Sequence, residues 1–142
     1  MTFPVIVQNN TNTNGYYLHG YEYSKTEKGL CVNADSKHNN RVTLKKCSND
    51  ASQRFMFYKN RLIHNGKCLD AAGQETSEGT PVILYSCTGN DNQRWMTNGR
   101  KIYGKQSNKC LVTRSFIIRS NDIIVLSDCD FSHALQFTQG KD

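Results

Sequence analysis

The chain has 142 residues, six cysteines, a formal net charge of +6, a hydrophobic fraction of 37% and a mean hydropathy of −0.66. This length and composition favour one domain with a single core, and they exclude collagen-like, proline-rich and membrane-spanning chains. The basic residues are scattered, so a soluble basic surface is a better interpretation than a nucleic-acid-binding arm.

The first segment, MTFPVIVQNN, has a short apolar run with no basic region before it, and it does not predict a signal peptide. The six cysteines include no C-x-x-C pair, so disulfide bonds in an oxidising compartment are a better interpretation than a zinc site. We therefore expect a secreted or extracellular protein that requires no metal and no cofactor.

One sequence unit occurs three times along the chain. The units cover about residues 16–58, 61–97 and 100–138, within a single domain of residues 1–142. In each unit a second cysteine is followed eight residues later by an aromatic residue. The second cysteines lie 40 and then 42 residues apart, at Cys47, Cys87 and Cys129. The aromatic residues are Phe55, Trp95 and Phe137.

Each unit has the composition of β-structure. Short strand-like segments precede the first cysteine of each unit, in YYLHGY, RLIHN and KIYG, and β-branched runs lead to the second, in VTLKKC, VILYSC and IIVLSDC. About four short strands per unit, without a helical period, predict a closed all-β fold, because one unit cannot bury its own apolar face. The repeated aromatic residues are expected to meet in the core on a threefold pseudo-axis.

The units share a pattern of C-L-D, then a second cysteine, then Q-x-W, and unit two has it complete in KCLD, YSC and NQRW. From about Tyr16 to Phe137 this triplicated pattern resembles the ricin B-type lectins, also described as R-type or Q-x-W lectins. The resemblance implies a β-trefoil of three pseudo-repeats and a function in carbohydrate binding.

In the resembled family a unit can form a shallow sugar pocket. Its parts are an Asp after C-L, an aromatic residue two before the second cysteine, and an Asn before the Gln of Q-x-W. Unit two has all of them, as Asp70, Tyr85, Asn92 and Gln93. The carboxylate and amide suit vicinal hydroxyls, and the ring suits the C–H face of galactose. Ile83 stands where many members carry a polar residue, so one polar contact is expected to be lost.

Units one and three lack these groups and are expected to be structural copies. Unit one has Asn33, Lys45 and Ser52 at the three positions. Unit three has Val112, Ser127 and Ala134, with Leu135 in place of the Gln.

The repeat also predicts the disulfide pairing. Six cysteines permit fifteen connectivities. The pairing that keeps one bridge inside each unit is Cys31–Cys47, Cys68–Cys87 and Cys110–Cys129.

The leading hypothesis is a non-enzymatic lectin that recognises galactose- or N-acetylgalactosamine-containing glycans of glycoproteins or glycolipids, as a targeting or delivery subunit of a toxin or secreted enzyme. One alternative is a trefoil protein–protein interaction subunit, for toxin assembly or inhibition, with a vestigial sugar site. Another is heparin-type binding through the basic surface. No enzyme is expected, because the sequence has no G-x-S-x-G motif and its G-x-x-x-x-G-K segment lacks the Ser or Thr of a phosphate-binding loop.

Overall fold

A computed structural model describes residues 5–11, 16–17, 30–35, 40–46, 48, 50–98, 101–114, 121–129, 136–137 and 140–141. This part of the chain contains fourteen strands and three short 3-10 helices. The strands are β1 Val5–Thr11, β2 Tyr16–Tyr17, β3 Leu30–Asp35, β4 Arg41–Lys46, β5 Arg54–Tyr58, β6 Arg61–His64, β7 Lys67–Ala71, β8 Val82–Ser86, β9 Trp95–Asn98, β10 Lys101–Gly104, β11 Cys110–Thr113, β12 Ile124–Ser127, β13 Gln136–Phe137 and β14 Gly140–Lys141. The 3-10 helices are Ala51–Gln53, Ala72–Gln74 and Asp91–Gln93. None of these helices has the length and apolarity needed to cross a membrane.

Each unit is built on an antiparallel hairpin that joins its two cysteine-bearing segments: β3 with β4, β7 with β8, and β11 with β12. The registers match across the units, because each first cysteine faces the residue two before the second cysteine. The facing pairs are Cys31 and Lys45, Cys68 and Tyr85, and Cys110 and Ser127. Lys45, Tyr85 and Ser127 are therefore equivalent in structure as well as in sequence.

A ring of backbone hydrogen bonds joins the three units. In each unit a leucine N–H donates to a carbonyl of the preceding unit: Leu44 to Asp122 at 2.9 Å, Leu84 to Asn40 at 2.8 Å, and Leu126 to Thr80 at 2.8 Å. Three antiparallel residue pairs occupy equivalent positions at the three boundaries between units: Arg41 with Ile83, Pro81 with Val125, and Thr43 with Ile123. Each unit thus pairs with both of the others, which confirms the predicted all-β, threefold trefoil.

The core takes its side chains from equivalent positions of the units. Buried layers are formed by Val32, Leu69 and Leu111, by Val42, Val82 and Ile124, and by Leu44, Leu84 and Leu126. Phe55 and Trp95 are each 1% exposed, as predicted for the aromatic residue of the repeat. The Trp95 indole N–H donates to the Leu69 carbonyl at 3.0 Å, so its polar atom is satisfied inside the core. The side chain of Phe137 lies outside the described part.

Strand β1 is an element that the repeat does not predict. It runs parallel to β3, β5 and β13, with Ile6 opposite Cys31 and Asn9 opposite Phe55 among the paired residues. It also pairs antiparallel with β2. The segment before unit one is therefore part of the sheet.

The disulfides Cys68–Cys87 and Cys110–Cys129 lie inside units two and three, as the repeat predicts. Cys31 is also disulfide-bonded. The remaining predicted partner, Cys47, lies outside the described residues.

Peptide mapping without reduction is expected to recover Cys31 joined to Cys47. This bridge closes a loop of about 16 residues and should contribute about 3 kcal/mol to the free energy of unfolding by the chain-entropy estimate. The double variant Cys31→Ser, Cys47→Ser should therefore unfold at lower denaturant concentration. A peptide that joins Cys31 to a cysteine of another unit would contradict the alignment of the units.

Candidate functional site

The hairpin of β7 and β8 positions the predicted site in unit two. Asp70 faces Ile83 across the hairpin, and Tyr85 lies two residues further along β8, so the three side chains share one face. The 3-10 helix Asp91–Gln93 then brings Asn92 to the same place. Asp70, Ile83, Tyr85 and Asn92 together line a pocket of about 330 Å³. The structure thus gathers the residues that the sequence analysis selected.

Gln93 lies behind this pocket and is fully buried. Its side-chain oxygen accepts from the Thr88 N–H at 2.8 Å, and its Nε2 donates to the Ser86 carbonyl at 2.8 Å. The same Nε2 donates to Asp70 Oδ2 at 2.8 Å. Gln93 therefore fixes the loop after Cys87 and, with one further bond, fixes the orientation of the carboxylate.

The equivalent glutamine of unit one has the same backbone role. Gln53 accepts from the Ser48 N–H at 2.8 Å and donates to the Lys46 carbonyl at 2.9 Å. Among the described residues, a bond from this glutamine to a carboxylate is seen in unit two, where Gln93 donates to Asp70. The Gln of the Q-x-W motif is thus first a support for the loop, and in unit two it also positions Asp70.

Asn92 is 6% exposed, and the two ends of its amide have different surroundings. Its Nδ2 donates to the Ala71 carbonyl at 3.1 Å. Its Oδ1 is buried and accepts no hydrogen bond from any described residue. A buried acceptor without a donor costs free energy. Asn92 also lines the pocket, so this oxygen is a candidate acceptor for a ligand hydroxyl once the side chain adjusts to expose it.

Asp70 is 5% exposed. It is the only carboxylate among the described residues that line the pocket. Burial raises the pKa of its carboxyl above the ordinary value, and hydrogen bonds from the side chains of Gln93 and Asn92 oppose that rise by stabilising the anion. A carboxylate offers about four lone-pair positions. The Gln93 bond leaves room for further donors from a ligand.

Tyr85 is 54% exposed and lines the pocket, so its ring is accessible for stacking against a ligand. The pocket also has walls that the sequence analysis missed. They are Gly73 and Gln74 of the turn after β7, with Thr88 and Asn90 of the loop after Cys87. Gly73 has a φ of 63°, where an L side chain is strained, so the glycine after C-L-D-A-A was an available signal for this turn.

Units one and three place different chemistry at the equivalent positions. In unit one the Ser52 hydroxyl donates to Asn33 Oδ1 at 2.9 Å, and Asn33 Nδ2 donates to the Ala34 carbonyl at 3.3 Å. These polar groups satisfy one another, and Lys45 is exposed. In unit three Val112 and Ser127 are buried. Ala134 and Leu135 lie outside the described residues.

In the described part of the chain, no three His, Cys, Asp or Glu side chains form a group that could hold a metal ion. The described lining of the pocket offers hydrogen-bonding groups, one carboxylate and one exposed ring.

Comparison with known proteins agrees with this fold. The chain is 56% identical over 138 residues to "Probable lipoprotein EnvE" of Salmonella typhimurium, which covers 97% of this chain and 80% of the relative. Among solved structures it resembles ThreeFoil, a designed 3-fold symmetric protein, with a TM-score of 0.71, 21% identity, and coverage of 90% of this chain and 99% of that one. It also resembles a non-toxic homologue of type II RIPs from Momordica charantia, solved with α-methyl-D-galactoside, with a TM-score of 0.59, 24% identity, and coverage of 70% and 39%. The family described as "Ricin-type beta-trefoil lectin domain" matches residues 20–137. The chain belongs to the ricin-type β-trefoil lectin family.

Proposed function

We propose that this lectin domain binds galactose- or N-acetylgalactosamine-type glycans through one pocket per chain, in unit two. The observation that carries the proposal is the convergence of Asp70, Tyr85 and Asn92 on one pocket, with Asn92 Oδ1 buried and without a donor among the described residues. The polar groups of unit one at the same positions bond to each other instead.

Each residue has a distinct role in this proposal. Asp70 accepts hydrogen bonds from two vicinal hydroxyls, and Asn92 Oδ1 accepts from one of them. Tyr85 packs on the patch of C–H groups that galactose presents on one ring face. Gln93 does not touch the sugar and acts by positioning Asp70 and the loop. Ile83 adds an apolar contact where a polar one is common in the family.

We propose binding without chemical conversion of the sugar. Hydrolysis of a glycosidic bond generally requires two carboxyl groups on opposite sides of that bond. The described lining of the unit-two pocket supplies one, Asp70. The raised pKa of Asp70 does not replace the second carboxyl group that hydrolysis requires.

We also propose that the domain acts outside the cytoplasm, on glycoproteins or glycolipids. The disulfides favour an oxidising compartment, and the relative from Salmonella typhimurium is named a probable lipoprotein. Delivery of a toxin or a secreted enzyme stays a prediction from the sequence resemblance.

Calorimetric titration of galactose is expected to detect binding to the parent and none to Asp70→Ala or Tyr85→Ala. The first variant removes the acceptor for the sugar hydroxyls and the hydrogen bond between Asn92 and the carboxylate, at about 1–3 kcal/mol. The second removes stacking of about 0.5–1.5 kcal/mol and the associated buried area. Such losses should suffice to make binding of a monosaccharide at one shallow site undetectable.

The matched control is the triple variant Asn33→Ala, Lys45→Ala, Ser52→Ala in unit one, which should bind galactose as the parent does. Binding should also persist at high salt and in EDTA, because a neutral stacked sugar depends on neither charge screening nor metal. If Asp70→Ala binds as tightly as the parent, the site lies elsewhere. If the parent binds no glycan, the alternative of a protein–protein interaction subunit is favoured.

The two supporting glutamines provide a second test. Gln93→Ala and Gln53→Ala each leave one backbone N–H and one carbonyl unpaired, so both should lower the free energy of unfolding by about 1–3 kcal/mol. Gln93→Ala should also weaken galactose binding, because it releases Asp70, while Gln53→Ala should not. Chemical denaturation and calorimetry on both variants measure the two effects. Equal loss of binding in both variants would contradict the positioning role of Gln93.

The buried carboxylate predicts a trade-off between binding and stability. Because burial raises the pKa of Asp70 above 3.8, ionisation costs more in the folded state than in the unfolded state. The contribution of the carboxyl to stability is therefore full below the unfolded pKa and falls as the pH rises through the folded pKa. Asp70→Asn should gain stability relative to the parent over that window and lose galactose binding.

Denaturation of Asp70→Asn and the parent between acidic and neutral pH measures this difference. Glu75→Gln, at an exposed position that makes none of the hydrogen bonds to Asp70, is the control and should show a nearly constant difference from the parent. A difference for Asp70→Asn that shrinks as the pH rises would mean that the fold stabilises the anion, contrary to this account.

A further inference from the structure

A second cavity lies on the other side of β8 from the sugar pocket. Leu84 lines this cavity, whereas its neighbours Ile83 and Tyr85 line the sugar pocket. Successive side chains of a strand point to opposite faces, so the strand separates the two spaces. The second cavity has a volume of about 700 Å³, roughly twice that of the first, and falls within the range typical of small-molecule sites.

The lining of this cavity is cationic. Its titratable side chains are Arg54, His64 and Lys67, and no acidic residue is among the described residues that line it. Arg54, His64 and Lys67 are all partly buried, so water screens their charges less than it would on an open surface. A concave space lined by one sign of charge concentrates ions of the opposite sign.

The histidine is held in a defined orientation. His64 Nδ1 lies 2.8 Å from the Arg54 carbonyl oxygen, and because a carbonyl can only accept, Nδ1 carries the proton. Its ring also packs against Phe55, with 5.3 Å between ring centroids.

The remaining lining combines polar and apolar groups. Ser52, Asn40 and Asn65 offer hydroxyl and amide groups, while Met56, Ile63 and Leu84 offer apolar contact. A purely electrostatic site for a small ion would not need the apolar part. Hydroxyl partners, apolar contact and positive charge in one space match a sugar ring that carries an acidic group.

We propose that this cavity, between units one and two, binds an anionic saccharide, meaning a sugar ring that bears a carboxylate or a sulfate. The proposal rests on the proposed function in taking a saccharide as the ligand, but it concerns a different cavity and different residues. Lys67 is the cationic residue best suited to mutation, because it belongs to neither the core nor the sugar pocket.

The test uses three ligands that share one ring: galactose, galacturonic acid and galactose 6-sulfate. They are titrated into the full chain and into Asp70→Ala, with backbone amide shifts followed by NMR. In Asp70→Ala we expect the two charged sugars, and not galactose, to shift the amides of residues 65–67. Preference for one charged sugar identifies carboxylate or sulfate as the recognised group.

The matched pair of variants, made in the Asp70→Ala background, is Lys67→Gln and Lys46→Gln, which remove equal charge. Lys46 is exposed and does not line the cavity. Lys67→Gln should weaken charged-sugar binding about threefold or more, Lys67→Arg should largely restore it, and Lys46→Gln should leave it unchanged.

Three results would overturn the proposal. The first is that charged sugars bind Asp70→Ala no better than galactose does. The second is that Lys67→Gln and Lys46→Gln weaken binding equally, which would indicate diffuse surface charge. The third is that inorganic sulfate binds as tightly as galactose 6-sulfate, which would indicate a site for a free anion. Loss of galactose binding by Asp70→Ala is read separately and tests the proposed function, so the two ideas can fail independently.

Discussion

The side-chain amide of Gln93 connects the fold of unit two to its pocket. It is fully buried, and it bonds at once to the Thr88 N–H, the Ser86 carbonyl and the Asp70 carboxylate. Removing it would leave buried polar groups unpaired, so the loop after Cys87 and the carboxylate are held by the same side chain. The position of Asn92, one residue before Gln93, follows from that arrangement.

Units one and two show how one frame serves two purposes. Gln53 supports its loop as Gln93 does, and Phe55 fills the core as Trp95 does. In unit one Asn33 is neutral and bonded to Ser52, so the frame carries no buried charge. In unit two the frame holds a carboxylate whose burial opposes its ionisation. Units one and two therefore share this frame, and the proposed binding of a ligand would account for the extra cost in unit two.

The sequence predicted those features of the fold that depend on the threefold repeat. The spacing of cysteines and aromatic residues located the hairpins and the core positions of Phe55 and Trp95. The resemblance to the ricin B-type lectins selected the residues that meet at the unit-two pocket. It did not predict β1, which lies outside the repeat and pairs with strands distant in sequence. It also did not predict the cationic cavity. His64 and Lys67 face each other across one hairpin, but Ala34, Asn40 and Leu84 reach the same space only through the packing of units one and two.

The central claim is that one unit of three binds sugar, and the most direct measurement is an NMR titration of the parent protein with galactose that follows backbone amides in all units. The account predicts saturation at one sugar per chain, with shifts concentrated at Asp70, Tyr85, Asn92 and the loop after Cys87. Saturation at two or three sugars, or shifts of similar size around Asn33, Lys45 and Ser52, would contradict it.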